Sequence, residues 1–169
     1  MGVSNKMQGL SRKLRRWFLL IAAVPALALA GDDTAPSTGQ TLYLPIYSHL
    51  YHGNPDRDGK PQQTLVSAHI SIRNTDPRLP IRVTSARYFD THGKLLREFV
   101  PAPAAIAPLG TLELFVPRTD ASGGSGANFV IVWDAAAPAS PPLVEALHAD
   151  IREARTLVFT TSARVIAKP

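Results

Sequence analysis

The stretch TLVSAHISIR, residues 64–73, alternates between apolar and polar residues from its third position onward. Its apolar positions are Val66, Ala68, Ile70 and Ile72. Because successive side chains of a β-strand point to opposite faces, this alternation predicts a strand that buries one face and exposes the other. The stretch therefore indicates a protein built from β-sheets that each cover a core.

Similar runs recur along the chain, separated by proline, glycine, asparagine and aspartate. They occupy residues 41–47, 81–89, 94–100, 112–116 and 129–133, and closing segments follow at 157–161 and 163–166. The run FVIVW at 129–133 is apolar throughout, which predicts a central strand covered on both faces. Short strands separated by turn residues are typical of a sandwich. We therefore predict an all-β, immunoglobulin-like β-sandwich of about seven or eight strands.

The segment SPPLVEALHADI, residues 140–151, is compatible with two structures. A serine followed by two prolines can begin a helix. Apolar residues also recur every four positions, at Leu143, Leu147 and Ile151. A strand over residues 144–148 is the alternative, although the pattern alone favours the helix.

The first 30 residues have the composition of an export signal. Five basic residues and no acidic residue precede an apolar run at 17–30, which ends in Ala28-Leu29-Ala30. This order defines a signal peptide, and the run of about 14 residues is shorter than the roughly 20 that span a bilayer. We expect export to the periplasm or secretion, with cleavage after about Ala30. An uncleaved anchor is the alternative, and the Sec and twin-arginine routes both stay open.

Cleavage would change the net charge of the protein. The full chain carries 18 basic and 13 acidic residues, a formal charge of +5. Five of the basic residues belong to the leader, so residues 31–169 carry 13 of each sign. Nucleic-acid-binding proteins usually present a basic face, and this balance argues against a nucleic-acid partner. We expect a flexible linker at 31–40, a single domain at 41–168, and no membrane span after cleavage.

Aromatic and histidine residues cluster between positions 43 and 58. Two imidazoles with a loop carboxylate could bind a divalent transition metal such as zinc or copper. The candidate metal ligands are His49, His52 and Asp56. The alternative is a tyrosine-rich surface whose rings pack and whose polar ends stay in water. The wider set of candidate ligand-binding residues is Tyr43, Tyr47, His49, Tyr51, His52, Arg73 and Asn128.

Arg73 and Asn128 lie outside that cluster. The guanidinium of Arg73 could bind a ligand carboxylate in a bidentate manner, or form a structural ion pair with Asp76 or Asp90. Asn128 follows the glycine-rich loop SGGSG at 122–126, which lacks the lysine and the following helix of a phosphate loop. The loop therefore predicts a tight turn, with Asp120 and Asn128 as its caps.

No catalytic set can be recognised from spacing. The chain contains no cysteine, so disulfides, thiolate nucleophiles and cysteine-ligated zinc are excluded. No pair of carboxylates is placed for acid–base work, and no spacing of serine, histidine and aspartate suggests a triad. We expect a protein without enzymatic activity and without a cofactor.

Several motifs occur in a fixed order along the chain: YLPIYSHLYHG at 43–53, SIRNTD at 71–76, YFDTHGK at 88–94 and SGGSGANF at 122–129, followed by the ending ARVI at 163–166. In this order they resemble a bacterial family known as domain of unknown function 3124. The resemblance covers residues 40–166 and implies an exported bacterial protein without an assigned activity. It also favours a strand rather than a helix at 144–148. It supplies no catalytic residue.

Taken together, these features predict a non-catalytic binding or interaction module of the cell envelope. The expected partner is an envelope protein or a small ligand, and the oligomeric state is not given by the sequence. The alternative function is a small metal-binding protein that uses the tyrosine- and histidine-rich segment at 43–58.

Overall fold

The structure, a computed structural model, describes residues 34–169. These residues form twelve β-strands and no helix. The strands are β1 (Ser37–Pro45), β2 (His49–His52), β3 (Gln62–Leu65), β4 (Ser67–Arg73), β5 (Ile81–Phe89), β6 (Leu95–Glu98), β7 (Ala104–Ile106), β8 (Thr111–Val116), β9 (Asn128–Ala139), β10 (Leu143–Arg152), β11 (Arg155–Ser162) and β12 (Arg164–Ala167). The predicted all-β class is confirmed. Across residues 34–169 there is accordingly no helix that could cross a membrane.

The strands form two larger open sheets and one hairpin. The first sheet has the order β12-β1-β9-β5-β6, with β7 also paired to β5, and the second has the order β11-β10-β4-β8. Among the strands of residues 34–169, β2 and β3 pair only with each other. One hydrophobic cluster joins the two larger sheets, with Leu42 and Ile131 from the first and Ile70 and Val144 from the second. The arrangement is therefore sandwich-like.

The helix predicted from the spacing at residues 140–151 is wrong, and the strand favoured by the resemblance is confirmed. Strand β10 buries Val144, Ala146, His148 and Asp150 and leaves the residues between them exposed or half-buried. A spacing of four keeps residues on one face of a strand as well as near one face of a helix. Leu143, Leu147 and Ile151 lie together on the exposed face of β10.

Strand β9 is central in its sheet, as predicted, because it pairs with β1 on one side and β5 on the other. Its inner face is fully buried, with Phe129, Ile131 and Trp133 at most 1% exposed. Val130 and Val132 on the other face are only half-buried. The expected cover on both faces is thus partial, and a valine-rich strand does not by itself require a second layer.

Two further expectations differ from the structure. Several of the twelve strands are only three or four residues long, too short to give a periodic pattern, so the predicted number of strands was too low. The end of the predicted linker is not free, because β1 already begins at Ser37 and pairs with β9. A Cβ at Gly39 would lie 2.7 Å from the carbonyl oxygen of Trp133, so this close pairing needs glycine. The predicted leader at 1–30 and residues 31–33 lie outside the described part of the chain.

Candidate functional site

A buried carboxylate marks the end of the β10–β11 hairpin. Asp150 occupies an inward position in the alternation of β10, and its side chain is 1% exposed. A buried charge is costly unless it is paired and hydrogen-bonded. Asp150 is expected, on these grounds, to have strong partners.

Three arginines from different places surround Asp150, and we call them the arginine cluster. Arg152 donates from Nε to Oδ1 at 3.0 Å, and Arg118, just after β8, donates from Nη1 to the same oxygen at 3.1 Å. Arg155, the first residue of β11, donates from Nη2 to Oδ2 at 2.9 Å. The hydrogen bond from Arg152 is the main reason that the pKa of Asp150 lies below its ordinary value, and the bond from Arg155 adds to it.

The arginine cluster has hydrogen-bonding capacity left over. A guanidinium has five N–H donors, and within residues 34–169 Arg118 and Arg152 each make a single side-chain hydrogen bond. The side chains of Arg118, Arg152 and Arg155 are 48%, 53% and 51% exposed. The cluster thus presents three cations to solvent around one buried anion, with most of their donors open.

Beside the cluster lies a hollow of about 350 Å³ between β2 and β11, which we call the β2–β11 hollow. Its lining residues are Leu50, Tyr51, His52, Thr64, Arg155, Thr156 and Leu157. His52 shares a hydrogen bond of 2.8 Å between its Nε2 and the Oγ1 of Thr64, and Arg155 donates to the same hydroxyl at 3.4 Å. Arg155 therefore belongs both to the hollow and to the arginine cluster.

His148 lies deeper in the same hairpin. Its ring is fully buried and stacks on Phe159 with centroids 4.5 Å apart. The backbone N–H of Tyr47 donates to its Nε2 at 3.1 Å, and the Tyr47 ring packs edge-on against both rings. Burial lowers the pKa of His148 from 6.5 to about 4, so the ring is neutral at neutral pH.

We expect the stability of the protein to fall as the pH is lowered from about 6.5 to about 4. In that window the unfolded chain binds a proton at His148 and the native chain does not, which shifts the equilibrium toward unfolding. The shift to about 4 corresponds to at most about 3 kcal/mol. Urea unfolding across this window measures it, and His148→Gln should flatten the pH dependence.

The control for that measurement is His92→Gln, since His92 is exposed in the turn between β5 and β6. This variant should keep the pH dependence of the wild type. The carboxyl of Asp76 affects stability at lower pH. The hydrogen bond from the Ser140 backbone is the main reason that its pKa falls from 3.8 to about 2, so its contribution to stability is lost only between those two pH values. An unchanged slope in His148→Gln would contradict the assignment to His148.

The model of the family described as "Protein of unknown function (DUF3124)" matches residues 39–166. The chain belongs to this family. No curated protein matches it at a significant level. A solved structure described as the crystal structure of Thermotoga maritima 1070 is similar at 12% sequence identity, with a TM-score of 0.42. That likeness covers 77% of this chain and 97% of the other, and it supports no conclusion about function.

The structure brings part of the predicted tyrosine and histidine cluster to the hollow. Tyr51 and His52 line it, whereas Tyr47 packs against His148, which is not among its lining residues. His49 is 8% exposed, and its ring lies edge-on to Tyr51 at 4.8 Å. Two of the predicted residues thus line the hollow, and His49 contacts one of them.

The remaining candidates lie elsewhere. Tyr43, in β1, has the guanidinium of Arg164 5.7 Å from its ring centroid. Arg73 pairs with Glu145 at 3.4 Å rather than with the predicted Asp76 or Asp90, because β4 and β10 are neighbours in the sheet. Asn128 is half-buried at the start of β9, opposite Pro45 and Phe89.

The candidate metal ligands are not gathered into one group. Asp56 accepts hydrogen bonds from the backbone of Asp58 and Lys60 and so shapes its own turn, while His52 is bonded to Thr64. Both ring nitrogens of His49 are buried, and neither has a hydrogen-bond partner among residues 34–169. Over the described residues 34–169, no group of three histidine, cysteine, aspartate or glutamate side chains could hold a metal ion. Metal binding stays a hypothesis that metal analysis would test.

Sequence reasoning missed the arginine cluster. Its members come from residues 118, 150, 152 and 155, so no short motif contains them. The sequence nevertheless contains one indication of it. If 143–152 is a strand, the alternation that buries Val144 and Ala146 also buries Asp150. A carboxylate at such a position predicts cationic partners nearby.

Proposed function

We propose that the chain is an exported, non-catalytic binding module of the cell envelope, whose binding site is the β2–β11 hollow. One observation carries this proposal: a hollow of about 350 Å³ lies beside three arginines whose donors are largely unused. Binding sites commonly combine apolar walls with a few fixed polar groups. Leu50 and Leu157 supply such walls, and Thr64 and Arg155 supply polar groups.

The surroundings of the polar groups favour binding over catalysis. Asp150 is held by three guanidinium groups that stabilise its charged form, which makes it a weak base. The contact between His52 and Thr64 resembles a base beside a nucleophile. In the described part of the chain, however, no third side chain hydrogen-bonds to the other nitrogen of His52 to orient its ring. Thr64 as a whole is also only 5% exposed.

The finer fold and the location belong to the same proposal. The two sheets and their shared core support an immunoglobulin-like arrangement, and the composition of residues 1–30 supports export with cleavage near Ala30. N-terminal sequencing of protein recovered from the periplasm or the medium tests the location. A first residue near Gly31 is expected, and recovery of intact chain from the cytoplasm alone would contradict export.

The binding site can be tested with protein expressed with its own leader and purified. We expect members of a mixed set of neutral and charged single-ring compounds to shift the NMR signals of residues that line the hollow. Leu157→Trp should fill the hollow and abolish those shifts, while Leu95→Trp, at an exposed position of β6, should leave them unchanged. The proposal fails if no compound shifts these signals, or if Leu157→Trp leaves the shifts intact.

A further inference from the structure

We infer that the β2–β11 hollow takes a small organic anion: a carboxylate or phosphate head on the arginine cluster, joined to an apolar body of about one ring. This inference rests on the proposed function, since it assumes that the hollow is the binding site. It adds the chemical class of the ligand.

The charge of the site favours an anionic head. Three guanidinium groups meet one carboxylate, so the cluster keeps an excess of positive charge. The nearest acidic residue in sequence, Glu153, is exposed in the turn between β10 and β11 and forms no ion pair with any residue of 34–169. A negatively charged ligand would therefore reduce repulsion among the arginines, whereas a cation would add to it.

The geometry of the arginines favours a head with two or three oxygens. Guanidinium groups bind carboxylates and phosphates through parallel N–H donors. Asp150 fixes one nitrogen of each guanidinium from the buried side, which leaves the remaining donors of Arg118 and Arg152 directed elsewhere. The guanidinium groups are thus partly ordered before a ligand arrives, and such preorganisation lowers the entropic cost of binding.

The walls of the hollow favour an apolar body. Leu50 and Leu157 border it, and the ring of Tyr51 is 56% exposed, with its edge contact to His49 holding it in place. A volume of about 350 Å³ is near the lower end of the roughly 300–1,000 Å³ of ligand pockets. A single ring fits this volume better than a larger scaffold.

In this arrangement Asp150 is a positioning residue rather than a ligand contact. Its carboxylate holds the three guanidinium groups together, and it is too buried to meet a ligand itself. A Coulomb argument alone predicts that Asp150→Asn strengthens anion binding, because a negative charge is removed. Preorganisation predicts the opposite, because the arginines lose the group that orders them.

The test is isothermal titration of the purified, exported protein with three probes of similar shape: 4-methylbenzoate, phenyl phosphate and 4-methylbenzyl alcohol. We expect the anions to bind on the order of tenfold more tightly than the neutral alcohol, and less tightly at high salt. The comparison of the two anions tells a carboxylate head from a phosphate head.

The variants separate the arginines from the hollow. Arg152→Gln and Arg155→Gln should each weaken anion binding on the order of tenfold. Because Arg152 does not line the hollow, Arg152→Gln should leave binding of the alcohol unaffected. Arg87→Gln, at an exposed position of β5, should change neither. Asp150→Asn should also weaken anion binding, and its melting temperature shows whether the fold persists. Two arginine variants are used so that misfolding of one leaves the other to decide.

The outcomes distinguish this inference from the proposed function. Equal affinity for the alcohol and the anions would overturn the anionic class while leaving the hollow as a binding site. Anion binding that survives both arginine variants would overturn the role of the cluster. Tighter anion binding by Asp150→Asn would overturn its positioning role. If none of the three probes binds, the inference fails, and the NMR shifts with the wider compound set decide the proposed function separately.

Discussion

Asn74→Asp is expected to lower the free energy of unfolding by about 3–5 kcal/mol at neutral pH. Asn74 is 2% exposed, and its side-chain Nδ2 donates to three carbonyl oxygens, those of Leu79 at 2.9 Å, Ile106 at 3.2 Å and Ala107 at 3.1 Å. Aspartate has nearly the same shape but carries an acceptor in place of these donors. A buried negative charge would then face three carbonyl oxygens.

Urea unfolding followed by circular dichroism measures this loss. Asn54→Asp is the matched control, because Asn54 lies in the exposed loop between β2 and β3, and a surface change of this kind costs less than about 0.5 kcal/mol. The destabilisation in Asn74→Asp should shrink on acidification, since burial raises the pKa of the new carboxyl and the protonated form can donate once. A variant as stable as the wild type at neutral pH would show that the three contacts are not made in solution.

The turn that begins at Asn74 shows what can and cannot be predicted from local sequence. Asparagine, aspartate and proline at 74–77 predicted a turn, and the structure confirms it: Asp76 accepts hydrogen bonds from the backbone of Arg78 and Leu79. The contacts of Asn74 with residues 106 and 107 could not be predicted, because they span more than 30 positions. The residue types within a segment determine that a turn forms, and tertiary packing determines which distant residues the turn contacts.

The same distinction between local and long-range features applies to the fold. Strand β4 was predicted from its own alternation, which is a property of neighbouring residues. The pairing of β10 with β4 and of β9 with β1 joins segments about 70–100 residues apart, and the alternation within one strand does not show which other strand it pairs with. The short strands β2 and β3 were missed as a pair, because four residues are too few to reveal a period.

The site was predicted where its residues are adjacent in sequence and missed where they are not. Tyr51 and His52 belong to a visible aromatic cluster, and both line the hollow. Arg118 lies 32 positions before Asp150 and is brought to it only by the second sheet. The cluster could be predicted only if residues 143–152 were known to form a strand. The spacing of Leu143, Leu147 and Ile151 indicated a helix instead.

Gly123→Ala is expected to lower the free energy of unfolding by about 3 kcal/mol or more. A methyl group at this position would overlap the hydroxyl oxygen of Tyr88 and lie 2.7 Å from the Cβ of Ala127. Tyr88 cannot move aside easily, because it is 1% exposed, its ring stacks on Phe129 at 5.1 Å, and its hydroxyl is bonded to Ser48 at 3.0 Å.

The loop around Gly123 is also held from the other side. Its carbonyl oxygen accepts hydrogen bonds from the backbone N–H of Thr91 at 2.9 Å and from the Thr91 hydroxyl at 3.0 Å. The glycine-rich segment at 122–126 is thus a tightly packed turn. This agrees with the prediction of a tight turn rather than a phosphate-binding loop. A shift of the loop that relieved the clash would break these bonds.

Thermal unfolding of Gly123→Ala beside Gly126→Ala tests this packing. The three atoms nearest to a methyl group at Gly126 all belong to the side chain of Thr91, the closest being Cγ2 at 3.1 Å, so the control should lose much less stability. In the background of Tyr88→Phe, which lacks the overlapping hydroxyl, Gly123→Ala should cost less than in the wild type, although the close contacts with Ala127 and with the ring Cζ remain. Equal costs in both backgrounds would place the strain at Ala127 and the ring Cζ rather than at the hydroxyl, and no cost in either would mean that the loop does not pack on Tyr88 in solution.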